Sequence, residues 1–120
     1  MNRTQLEQRL IEFAVLIIKV ADNLKPSRSG NTMANQLVRS GTSPALNYGE
    51  AQSAESSNDF IHKCQIILKE LRETFVSLKI IEKAELFKKN INITDALREN
   101  NELISIFVAT INKMKSKKTQ

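Results

Sequence analysis

Four stretches of the chain repeat apolar residues at helical spacing, and none alternates apolar with polar residues as a half-buried strand would. In the first, Leu6, Leu10, Phe13, Ile17, Val20, Ala21 and Leu24 share one face, which predicts a helix over residues 5–24. Thr4, with Glu7 three residues on, reads as its capping box. Residues 25–30, which hold Pro26 and Gly30, read as a connection. A second helix is expected over residues 31–54, and Ser56 or Ser57 caps a third, with Asp59 placed to meet the positive end of its dipole. The third carries Phe60, Cys64, Ile67, Leu68, Leu71, Phe75 and Leu78 on one stripe. Residues 88–92 make the last connection, and a fourth helix starts at Asn92 or Thr94 and carries Leu97, Ile104, Phe107, Val108, Ile111 and Met114. Four helices of about 20 residues with short connections predict an all-α, antiparallel up-and-down four-helix bundle over residues 1–115, followed by a basic flexible tail, 116–120.

Two helices carry more apolar surface than one core needs. Ile11, Val15 and Ile18 lie opposite the main face of the first helix, and Ile66, Val76 and Ile80 lie off the stripe of the third. A helix that is apolar on two faces is covered twice, which points to a homo-oligomer. The second helix has the reverse feature. At 100° per residue, Ala34, Leu37, Gly41, Ala45 and Tyr48 gather on one side, whereas Gln36, Arg39, Ser40, Ser43, Asn47 and Glu50 form a polar stripe on the other. That stripe is a solvated face, a contact with another helix or subunit, or a ligand or nucleic-acid site. Arg39 and Glu50 are too far apart, about 16 Å along a helix, to pair directly. Pro44 removes one amide from this helix and predicts a bend near residues 40–44, with Ser40, Thr42 and Ser43 available for freed backbone groups.

Charge changes the picture at one end only. The chain carries a formal charge of +5; residues 1–60 are balanced, residues 61–111 carry one excess cation, and residues 112–120 hold four lysines and no acid. Lys113, Lys115, Lys117 and Lys118, together with Lys88 and Lys89, are therefore the candidate contacts to nucleic-acid phosphate. The near-neutral body fits equally a protein-interaction module with no nucleic-acid role. A solubilising tail is the plain alternative for the lysines. With one Tyr, no Trp and its five Phe mostly on core faces, the chain offers no base-stacking surface. Cys64 is the only cysteine, so no intramolecular disulfide forms, and the first residues lack an apolar signal core; both fit a reducing cytoplasm. The longest apolar run, residues 13–18, is too short to span a membrane.

Catalytic and metal chemistry find no constellation. A di-iron bundle needs several inward carboxylates and paired Glu-x-x-His motifs, whereas this chain has one His and the single comparable spacing Asp59-x-x-His62. His62 and Cys64, two residues apart on a helix, point about 200° away from each other and cannot act as a base and its nucleophile. No phosphate-binding loop or nucleophile elbow is present. The sequence reading is a non-enzymatic protein with no cofactor.

The run Gln36-Leu37-x-Arg39-Ser40-x-Thr42-Ser43, then Asn47-Tyr48-x-Glu50-Ala51, Ala54-Glu55-Ser56, Asp59-Phe60-Ile61-His62-Lys63 and Leu68-Lys69-Glu70-x-Arg72-Glu73-Thr74 resembles the signature of a bacterial four-helix bundle family. That family includes proteins encoded in intervening sequences of large-subunit rRNA genes and the accessory protein Avd of diversity-generating retroelements. The resemblance covers roughly residues 5–115. It departs at Pro44, where an aliphatic residue is more usual, and at Gly49, where a larger one is. It implies a homo-oligomeric bundle, a ring of five in some members, and in the Avd branch binding to a reverse transcriptase and to RNA or DNA.

Overall fold

The first helix starts earlier than Thr4, because Asn2 makes a better reciprocal cap. Its side chain accepts from the Gln5 N–H at 2.8 Å, and Gln5 Oε1 accepts from the Asn2 N–H at 2.9 Å. Two orphan donors are thereby satisfied at once. The computed structural model describes residues 1–89 and 93–118, with only the backbone of Lys118. It contains α1 (Arg3–Asp22), α2 (Arg28–Ala51), α3 (Ser57–Ala84) and α4 (Thr94–Lys118). Expected boundaries that fall on residues 90–92, including a start at Asn92, lie outside the described residues.

Other ends differ from the sequence reading too: α1 stops at Asp22 and α2 at Ala51, short of the expected 24 and 54. α2 begins at Arg28, not residue 31, since Ser27 caps it by accepting from the Gly30 N–H at 3.0 Å. Gly30 is therefore the third helical residue rather than part of the connection. Its missing side chain is a requirement there, as a Cβ would stand 1.9 Å from the Lys25 carbonyl oxygen. α4 continues through Lys118, three residues into the expected tail, and Met114 in this last part packs against the core. Thr119 and Gln120 lie outside the described residues. α3 begins as read, with Ser56 accepting from the Asp59 N–H at 3.1 Å. α2 runs through Pro44 as one helix, and the Thr42 hydroxyl donates to the Val38 carbonyl at 2.7 Å.

Two connections tie one end of the molecule. Lys25 N–H donates to Leu86 O at 2.7 Å and Lys88 N–H donates to Asn23 O at 2.8 Å, so Leu24 and Phe87 form a short antiparallel bridge. The end of α1 and start of α2 therefore sit beside the end of α3 and start of α4. Consecutive helices are antiparallel and pack in order as an up-and-down bundle, 51 × 21 × 21 Å. Leu10, Phe13 and Ile17 of α1, Leu37 of α2, Ile67, Leu71, Leu78 and Ile81 of α3, and Leu103 and Phe107 of α4 are its fully buried centre. Tyr48 meets Phe107 edge to face, with centroids 5.9 Å apart. α4 closes most loosely on α1, where Arg9 donates to Glu99 at 2.7 Å and to Glu102 at 2.5 Å. Among the described residues, no helix is long and apolar enough to cross a membrane.

The α1–α2 contact is closest at Gly41, where a Cβ would meet Ile17 Cγ2 at 2.5 Å and Ile17 Cβ at 2.9 Å. Gly49, eight residues on, has nothing within 4 Å of the same position. This contrast predicts opposite signs for one substitution. Gly49→Ala should raise stability by up to about 1 kcal/mol through helix propensity. Gly41→Ala receives the same gain but loses about 1–3 kcal/mol to overpacking, and should be the less stable of the two. Thermal unfolding at one protein concentration checks both; equal shifts would refute the close approach.

Candidate functional site

The polar stripe of α2 lies along α3. Ser40, one of its members, is fully buried, and its hydroxyl is hydrogen-bonded at 2.8 Å to that of Thr74, which also donates to the Glu70 carbonyl at 2.8 Å. Arg39 reaches over this pair to Glu70 at 3.1 Å and Glu73 at 2.7 Å. At the other end of the stripe, Glu50 accepts from Lys63 at 3.1 Å. Arg39 and Glu50, too distant for each other, thus each find a partner on the neighbouring helix. Asn47 donates within α2 to Ser43, at 3.0 Å to the carbonyl and 2.8 Å to the hydroxyl, and Gln36 is exposed. The stripe is an intrachain seam of mixed exposure. Its partners Lys63, Glu70, Glu73 and Thr74 stand in the sequence only as members of the family-like signature, with nothing there to pair them with α2.

The candidate phosphate-binding lysines do not form one cluster. Lys88 follows α3 at the bridged end, whereas Lys113, Lys115 and Lys117 lie near the far end of α4. Lys115 is 21 residues beyond Thr94, about 32 Å along the helix axis. The two groups sit at opposite ends of the bundle. Lys113, Lys115 and Lys117 are exposed, and no ion pair among the described residues engages them. At 100° per residue Lys113 and Lys117 share a face, and Lys115 points elsewhere.

The apolar surface expected outside the core is present. Ile11, Val15 and Ile18 are 42%, 46% and 38% exposed, at i, i+4 and i+7 on α1, and Val76 and Ile80 are exposed on α3. Ile66 is half-buried instead. Cys64 is fully buried in the core, and desolvation pushes its thiol up to about 11, so it is no thiolate nucleophile at neutral pH. His62 is exposed. No group of three or more His, Cys, Asp or Glu among the described residues could hold a metal ion.

The seam separates two kinds of interaction that mutation can tell apart. Ser40→Val overfills a fully buried site and breaks the bond to Thr74, and should cost about 1–3 kcal/mol independent of salt. Arg39→Ala removes exposed ion pairs, so its cost should be smaller than that of Ser40→Val and shrink as salt rises. The hydrogen bond from Arg39 holds the Glu73 carboxyl below the usual carboxylate range. That contribution is present above the unfolded value, about 4.3, and is lost as pH falls through the lower folded one. Urea titrations of the native chain and both variants, at two salt concentrations and between pH 3 and 7, check each sign; Arg39→Ala should flatten the acid limb.

A family model described as "23S rRNA-intervening sequence protein" matches residues 3–109. A crystal structure of a protein of unknown function from the S23 ribosomal protein family of Bacteroides thetaiotaomicron is 28% identical, with a TM-score of 0.80 over 93% of this chain and 99% of that one. No curated protein matches the sequence. The matched span takes in all of α1, α2 and α3 and most of α4, so the chain belongs to the 23S rRNA-intervening sequence protein family.

Proposed function

We propose that this protein is a non-enzymatic, self-associating four-helix bundle that attaches to nucleic acid through phosphate contacts. The observation that carries the reading is the placement of unneutralised charge: four lysines and no acid in the last nine residues, with Lys113, Lys115 and Lys117 projecting from a continuous helix. A helix holds these ammonium groups at fixed spacing, so less ordering entropy is lost on contact than a disordered tail would lose. The family description, which names an intervening sequence of 23S rRNA, and the ribosomal assignment of the structural relative favour RNA over DNA. Self-association is supported by the α1 stripe of Ile11, Val15 and Ile18, whose apolar area one copy leaves in water. A ring of five and a reverse transcriptase as partner belong to the same proposal.

Sedimentation velocity should show a species larger than 13.6 kDa, and Val15→Asp should shift it to the monomer while leaving helix content unchanged. A native chain that sediments as a monomer would refute self-association. For nucleic acid, fluorescence anisotropy of labelled structured RNA and duplex DNA across a salt series is the direct test. Changing Lys113, Lys115, Lys117 and Lys118 to Ala together should flatten the slope of log affinity against log salt by about 3 on single-stranded RNA, using roughly 0.7 per contact. Substitution is preferable to truncation because Met114 packs on the core. Unchanged sedimentation with no binding to either nucleic acid at low salt would instead favour a protein-interaction module, the reading to which the near-neutral body points.

A further inference from the structure

We propose that the open groove between α3 and α4, walled by Lys69, Arg72 and Lys115, is a binding site for the phosphodiester backbone of nucleic acid. This deepens the functional reading above and rests on it. Gln65, Leu68, Lys69 and Arg72 from α3 and Ile111 and Lys115 from α4 line a groove of about 430 Å³. Three of the six are cations and none is an acid.

What distinguishes this groove is convergence: three cations from two helices line one concavity with no acid among its walls. Arg9, Arg39, Lys63 and Arg98 all sit in ion pairs. No ion pair among the described residues uses Lys69, Arg72 or Lys115. Glu73, which feels the charge of Lys69, is hydrogen-bonded to Arg39 instead. α3 therefore has two charged flanks. The one against α2 is neutralised within the chain; the one against α4 is left for an external anion.

The floor decides what kind of anion fits. Leu68 and Ile111 are aliphatic and partly or wholly buried, so the cations stand along an apolar bed while remaining open to solvent and to a phosphate arriving from it. The planar guanidinium of Arg72 can grip two phosphate oxygens at once, the lysines act as point charges, and the Gln65 amide adds a neutral donor. No aromatic ring lines the groove, so it offers contact to the backbone and an apolar bed for sugar, without stacking. The site also sorts the terminal lysines. Lys115 belongs to it, whereas Lys113 and Lys117, on another face of α4, do not line it.

The test compares two substitution sets in the full chain, by anisotropy with labelled single-stranded RNA and with duplex DNA across a salt series. Lys69→Ala, Arg72→Ala and Lys115→Ala together should weaken binding by at least about tenfold at low salt and flatten the RNA salt slope by about 2, from roughly 0.7 per lost contact. Lys113→Ala with Lys117→Ala removes two charges and should change binding less. Gln65→Glu keeps all three cations but places a carboxylate among them, and should also weaken binding. Loss on RNA alone or on both nucleic acids supports the groove and identifies its source. If the native chain binds but the two sets lose equal affinity, the groove is refuted and the broader reading stands. If the native chain binds neither nucleic acid, both fall. Dissociation of the oligomer by the groove set, without a specific binding defect, would show that the groove faces a second copy instead and would overturn the proposal.

Discussion

The close approach of α2 to α1 at Gly41 is the constraint on which the arrangement depends. Any side chain there would stand 2.5 Å from Ile17, so only glycine lets the two helices seat at this separation. The residue before it, Ser40, is turned by 100° and reaches Thr74 of α3. Two consecutive residues thus aim α2 at two different helices, and both are small. With α2 wedged between α1 and α3 in this way, its Leu37 and Tyr48 reach the centre, and its polar flank is laid along α3. α4 is then held by α3, by the bridged end and by the Arg9 pairs across its loosest seam.

That seating also distributes charge. Because α2 brings Arg39 over Glu70 and Glu73 and sets Glu50 against Lys63, one flank of α3 is internally compensated. Such exposed pairs add little to stability, but they determine which charges remain available to a partner. Lys69 and Arg72, on the flank facing α4, remain uncompensated, and Lys115 comes to meet them. A body that is nearly neutral in sum is therefore polarised locally. Net charge by segment, which directs attention to the terminal lysines, hides this because it averages over opposite faces of one helix.

Helical periodicity made the four helices, their order and most of the core legible, since a buried face must recur every three to four residues regardless of partners. Local rules were less decisive where several residues could serve. Asn2 with Gln5 and Thr4 with Glu7 both fit a capping box, and only the backbone position selects the former. Gly30 reads as a turn residue unless the Lys25 carbonyl approaching it is known. The stripe on α2 was visible as a pattern, yet its role was not, because Thr74, Glu73 and Lys63 lie 13 to 34 positions away in sequence. The α3–α4 groove was hidden for the same reason: Lys69 and Lys115 are 46 residues apart, and each alone is an ordinary surface lysine.

Valency follows from where the two unpartnered surfaces lie. In an up-and-down bundle α1 stands diagonally across from α3, and none of Ile11, Val15 and Ile18 lines the cationic groove between α3 and α4. A contact between copies built on Ile11, Val15 and Ile18 uses none of the groove's lining residues. In the proposed site, three cations on one copy would give a weak, salt-sensitive hold on a phosphodiester chain. Once one groove is occupied, the same strand meets its neighbour's groove at a high effective concentration, and avidity can exceed the single-site affinity by about 10²–10⁴ without any new contact. On the proposed reading, tight binding would come from assembly rather than from base recognition, and a variant that breaks the α1 contact should lose nucleic-acid affinity even with all its lysines intact.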